Sequence, residues 1–197
     1  MKRLLRPEFL LLVAMIAAAP ADAAPTASQD WTLQTLMSGL SQTRNGEARF
    51  VETKTLGSLK EPLVTSGVLR YRHPDSMEKE IEKPRAERFV IAGDSMETWR
   101  GGKRTRQVSL AGYPALRNFV TSFIATVGGD LATLQKFYRL TLSGNQRAWT
   151  LIMIPTDPEL KRVTSLIEVR GSGTVIDRFE TIQPNNDRSV MRITPLG

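Results

Sequence analysis

Between residues 65 and 94, hydrophobic and polar positions alternate with the two-residue period of a β-strand, and the alternation is broken twice by proline. Gly67, Leu69, Tyr71 and His73 share one side, Val68, Arg70 and Arg72 the other, and Pro74 ends the run. In 77–83 a helix would stack Glu78 on Glu82 and Lys79 on Lys83, like charge on like charge, so this stretch also reads as a strand and Pro84 ends it. A third strand, 88–92, carries Phe89, Val90 and Ile91 into a Gly93-Asp94 turn. The links are too short for crossover helices, which makes the three strands an antiparallel meander.

Upstream, Asp30 is placed to cap a helix with Leu33, Leu36, Met37 and Leu40 on one face, ending at Asn45-Gly46. A strand at 48–56 and a polar link at 57–62 lead into the meander. Downstream, 96–100 and 105–110 pair as a hairpin closed by Gly101-Gly102-Lys103-Arg104. In 112–129 the spacing changes: Tyr113, Leu116, Phe119, Val120, Phe123 and Ile124 recur with helical period, and Pro114 suits the first turn. Asp130 then caps a second short helix bearing Leu131, Leu134 and Phe137, with a bend at Val127-Gly128-Gly129. Strand patterning resumes at 138–143, 149–154, 163–170, 174–182 and 189–194, separated by turns such as Thr156-Asp157-Pro158.

About eleven strands with two or three helices predict a mainly β (α+β) fold, a curled antiparallel half-barrel whose helical insert forms a lid on the concave side. Strands 88–92 and 149–154 are apolar on both faces, which a sheet with one solvated face does not require. Either helices cover both faces, or one face lines an apolar cavity.

The first 23 residues have a different character. Lys2, Arg3 and Arg6 precede an apolar run at 9–19, and Ala21-Asp22-Ala23 has the small-x-small form of a cleavage site. The run is shorter than the roughly 20 residues that span a bilayer, so 1–23 reads as a secretory signal peptide and 24–197 as one exported domain, with export to the periplasm. The chain has no cysteine, so neither a disulfide nor a lipid-bearing thiol is available. A formal charge of +7 favours an anionic partner, and export argues against nucleic acid. Arg100, Lys103, Arg104 and Arg106 gather four of these cations around one hairpin, a candidate contact for lipid phosphates or an acidic protein.

Enzyme chemistry finds little support. The single His73 has no evident Ser or Asp partner, no nucleophile elbow or phosphate loop occurs, and one imidazole without ligand spacing predicts no metal site and no cofactor. Glu78, Glu80 and Glu82 fall on one face of their strand, with Lys79 and Lys83 on the other, as a solvated edge would have them.

Taken in order, Phe50-Val51-Glu52, Ser66-Gly67-x-Leu69-x-Tyr71-x-x-Pro74, Glu82-Lys83-Pro84, Phe89-Val90-Ile91-x-Gly93-Asp94, a helical insert and five strands resemble the LolA-type outer-membrane lipoprotein carriers. Gly129-Asp130-Leu131, Trp149-x-Leu151 and Pro155-x-Asp157 bring the chain nearest to the divergent LolA-like branch. The resemblance implies a monomeric periplasmic carrier that takes the acyl chains of a lipoprotein, or of another acyl or polyene lipid, from an inner-membrane donor to an outer-membrane acceptor. A lipid- or lipoprotein-sensing adaptor of the same fold is the alternative. Wall candidates are Leu69, Tyr71, Phe89, Ile91, Met96, Trp149, Leu151 and Met153, with Phe119 and Phe123 on the lid. In the familiar carriers an arginine that latches the lid stands directly before the proline of the second strand. His73 occupies that position here and is the candidate latch.

Overall fold

Eleven strands form one antiparallel sheet in the computed structural model, which describes residues 31–196. In chain order they are β1 (Asn45–Thr55), β2 (Leu63–Arg72), β3 (Ser76–Lys83), β4 (Glu87–Ala92), β5 (Ser95–Arg100), β6 (Lys103–Ser109), β7 (Tyr138–Asn145), β8 (Ala148–Pro155), β9 (Leu166–Ser172), β10 (Val175–Ile182) and β11 (Arg188–Pro195). Their spatial order is β6-β5-β4-β3-β2-β1-β11-β10-β9-β8-β7. The chain therefore walks outward from β1 to one edge, passes through helices to the other edge, and walks back until β11 pairs with β1. The sheet is open, with β6 and β7 as its edges. The expected signal peptide, 1–23, lies outside the described residues.

The helices are α1 (Leu33–Leu40), α2 (Pro114–Val127), α3 (Leu131–Phe137) and a four-residue α4 (Pro158–Lys161). Thr32, rather than Asp30, caps α1: its hydroxyl oxygen accepts from the Thr35 N–H at 3.1 Å. The helix stops at Leu40 because Asn45 and Gly46 are already strand, paired with Arg72 and Tyr71 of β2. Asp130 caps α3 as expected, accepting from the Thr133 N–H at 2.9 Å, and Pro114 is the first residue of α2. The β5–β6 hairpin turns on Gly101 and Gly102 alone, both at positive φ, so Lys103 and Arg104 belong to the strand and not to the turn. The expected turn at 156–158 opens into α4, where Asp157 accepts from the Leu160 N–H and Leu160 is fully buried. Asp-Pro introduces a turn or a helix equally well, and four residues are too few to display a helical period.

The two sheet faces differ. On the outer face Arg70 pairs with Glu47, Glu78 and Glu80, Arg49 pairs with Glu82, and Arg88 lies over the Trp99 ring at 4.8 Å. On the inner face Leu142, Leu151, Val169, Phe179 and Met191 are successive register partners from β7 to β11. Leu36, Met37 and Leu40 of α1 and Leu134 of α3 join this core. Leu151, Met153 and Val169 have no exposed surface, and burial of each contributes roughly 1.5–3 kcal/mol. Trp149 closes one end: its indole N–H donates to the Gly173 carbonyl at 2.9 Å, and its ring lies where a Cβ on Gly171 would stand, 2.4 Å from Cζ2. This half of the inner face is solidly packed, and the other half is not.

Candidate functional site

Under α2 the inner face lines a cavity of about 720 Å³ that is partly open to solvent. That falls in the range of roughly 300–1,000 Å³ typical of small-molecule sites. From the sheet, Leu69, Met77, Phe89, Ile91 and Met96 line one side and Phe179 and Met191 the other. Leu116, Phe119, Val120, Phe123 and Ile124 of α2 form the roof. Local periodicity produces both surfaces: Phe89 and Ile91 stand two apart on a strand, while Leu116, Phe119, Val120 and Phe123 stand three and four apart on a helix. Phe89, Ile91, Met96, Phe119 and Phe123 are only half-buried, since part of each meets the void. A lining this apolar complements hydrocarbon better than it complements polar groups. Phe123 and Phe179 join roof to sheet, with ring centroids 4.6 Å apart.

Beside β1 and β11 the lining changes character. Glu52 is buried against the cavity, and Lys79 reaches its Oε2 at 2.6 Å. The Ser189 hydroxyl donates to Glu52 Oε1 at 2.7 Å, the Thr65 hydroxyl to Oε2 at 3.4 Å, and Lys54 Nζ stands 3.6 Å from Oε1. Burial pushes the Glu52 carboxyl up, but Lys79, Lys54 and Ser189 outweigh it and hold it below its ordinary 4.5. Burial likewise pulls Lys79 below 10.5, with Glu52 opposing. The solvated-edge expectation for this strand is thus corrected: β3 lies between β2 and β4, and Lys79 faces the cavity rather than water.

Of the ten expected cavity residues, Leu69, Phe89, Ile91, Met96, Phe119 and Phe123 line the void. Tyr71, Trp149, Leu151 and Met153 do not; all four are buried in packed protein. Alternation identified their face correctly, but whether helix or void lies above a residue depends on distant packing. Met153 is covered by α2, where the Thr126 hydroxyl contacts its sulfur at 3.8 Å. The Tyr71 hydroxyl stands 3.4 Å from His73 Nδ1 and abuts Gly128, 2.7 Å from where a Cβ would be, at the joint of α2 and α3. His73 itself is exposed just beyond β2 and reaches that joint only by way of Tyr71.

The four hairpin cations divide into two pairs. Arg100 pairs with Glu87 and Arg104 with Glu97, each at 2.7 Å, whereas Lys103 and Arg106 are exposed and form no ion pair among the described residues. The same residues contain no cluster of three potential metal ligands and no helix long and apolar enough to cross a membrane. Sequence reasoning missed Met77, Phe179 and Met191, all on correctly patterned strands, together with the Glu52–Lys79 pair. Nothing in the spacing joins a glutamate on β1 to a lysine on β3.

Comparison with known proteins follows the same outline. A family model described as outer membrane lipoprotein carrier protein LolA-like matches residues 18–191. Among curated proteins none matches the sequence. Similar solved structures include a LolA superfamily protein from Nitrosomonas europaea, at 8% identity and TM-score 0.47, with 83% of this chain and 91% of that chain covered. Another is the MucA/MucB complex of Pseudomonas aeruginosa, at 15% identity and TM-score 0.46, covering 82% of this chain and 54% of that one. A putative outer membrane lipoprotein-sorting protein domain from Vibrio parahaemolyticus aligns at 10% identity and TM-score 0.39, covering 80% and 88%.

Proposed function

This chain belongs to the LolA-like outer membrane lipoprotein carrier family, and from that premise we propose that it is a periplasmic lipid carrier. The cavity under α2 takes the acyl chains of a lipoprotein, or of another acyl or polyene lipid, and releases them at a second membrane. The observation that carries this reading is the half-buried hydrocarbon on both roof and floor of a void of about 720 Å³. An acyl chain in water loses about 0.8 kcal/mol for every methylene left unburied, so passage between membranes requires such a cavity. Walls that include three methionines, Met77, Met96 and Met191, adapt to chains of different shape.

The proposed handover has two further parts. Tyr71, set against Gly128 and contacting His73, is where opening of the lid would be resisted. Lys103 and Arg106, together with the exposed Arg100 and Arg104, offer a cationic edge to an anionic donor or acceptor. No catalytic step is assigned.

Native mass spectrometry of the protein exported to the periplasm tests this reading. A bound mass that fragments as a lipid or lipopeptide, and that leaves when acceptor vesicles are added, is the expected result. Cargo that binds but is never surrendered to vesicles would indicate a sensor. Persistent absence of any adduct, even after incubation with detergent-free lipid, would overturn carriage.

A further inference from the structure

We propose that the polar end of the cavity is a binding site for an oxyanion carried on an alkyl chain, a carboxylate or a phosphate, held by Lys79 and Lys54. The inference rests on the carrier reading and adds to it a class of cargo and an orientation.

The argument is one of hydrogen-bond capacity. Glu52 has its acceptors occupied: Oε2 takes Lys79 and the Thr65 hydroxyl, while Oε1 takes the Ser189 hydroxyl and faces Lys54. An ammonium carries three donors, and Lys79 directs one of them to Glu52. The spare capacity in the cluster is therefore donor capacity. Two lysines against one glutamate also leave one positive charge uncompensated. Donors with excess positive charge complement an oxyanion, and they would leave an amine or a plain alkyl end without a partner.

Position supplies the second half. Lys79, Lys54 and Ser189 line the same void as Phe89, Met96 and Phe119. A ligand with its oxyanion at Lys79 can therefore run its chain along the hydrocarbon between β4 and α2. A cavity meant only for alkyl groups gains nothing from a buried ion pair, whose desolvation a hydrophobic lining avoids. Here the pair is retained, and it fixes which end of an amphiphile lies against β1.

Displacement of a neutral fluorescent apolar probe by palmitate, hexadecyl phosphate and hexadecanol, each below its micelle concentration, tests the site. Both anions are expected to bind about tenfold tighter than the alcohol. In Lys54→Gln, which leaves one lysine against one glutamate, and separately in Lys54→Glu, which leaves an excess of negative charge, that preference should fall below about threefold. Equal affinity for all three in the wild type, or a preference undiminished in both variants, overturns the proposal. Displacement by inorganic phosphate as effective as by hexadecyl phosphate also overturns it, by assigning the lysines to free anions. If the probe itself fails to bind, the carrier reading falls, and this one with it.

Discussion

Lys79 crosses an entire strand to reach Glu52. It starts on β3, passes over β2, and meets the carboxylate on β1 at 2.6 Å, with its ammonium 4.9 Å from the centre of the Phe50 ring. The register partner of Phe50 on β2 is Gly67, which contributes no side chain to block the path. Lys79→Met strands a buried carboxylate and is expected to cost about 3 kcal/mol. Glu52→Gln/Lys79→Met should cost distinctly less, and urea unfolding of both variants measures the difference.

The same pair sets a pH dependence. Glu52 has a folded-state pKa below 4.5, so its contribution to stability is complete above that value and is lost as pH falls through the lowered one. The stability gap between wild type and Glu52→Gln should shrink below pH 4.5 and be constant above it up to the range where Lys79 begins to lose its proton. Lys79 acts in the opposite sense. Its lowered pKa makes its charge a cost to the fold, relieved as pH climbs toward 10.5.

Cavity wall and core should answer differently to the same insult. Phe89 is half-buried against the void, so Phe89→Glu is expected to leave the chain folded and lower uptake of a neutral fluorescent lipid at least about tenfold. Leu151 is fully enclosed, and Leu151→Glu should not yield folded protein. Circular dichroism alongside the uptake assay separates the two results.

Gly171 admits no side chain. A Cβ there would lie 2.1 Å from the Val175 carbonyl oxygen as well as against the Trp149 ring. Gly171→Ala is therefore expected to destabilise by about 2–3 kcal/mol, read from the urea midpoint, without changing which lipids bind.

At the β5–β6 edge, Lys103→Gln/Arg106→Gln removes two cations with no ion-pair partner among the described residues. Stability should stay within about 0.5 kcal/mol. Sedimentation with anionic vesicles should weaken, and the loss should be largest at low salt, where screening is least.

Most of the fold was legible because each strand needs only local information. Period two, a proline or a glycine pair at each end and short links gave the meander and the hairpins, and period three to four gave α2. The misplaced boundaries were set by partners. Asn45 and Gly46 look like a helix stop until β2 extends far enough to pair with them. The cavity was half legible for a related reason. Phe89 and Leu151 sit in strands of the same character, apolar on both faces, and only the placement of α1, α2 and α3 above them decides that one lines the cavity and the other is packed in the core. Lys79 was misread because a lysine opposite three glutamates matches a solvated strand, while its partner Glu52 lies 27 residues away in sequence.

The two edges of the open sheet leave backbone N–H and C=O groups facing outward at β6 and β7. An open edge of this kind can pair with the edge of a second copy of the chain. Lys103, Arg104 and Arg106 stand along β6, so an approaching second copy would bring like charges face to face. The cations proposed to meet a partner therefore also guard the edge against fibre growth, and replacing them with threonine or valine would convert β6 into a template for self-association.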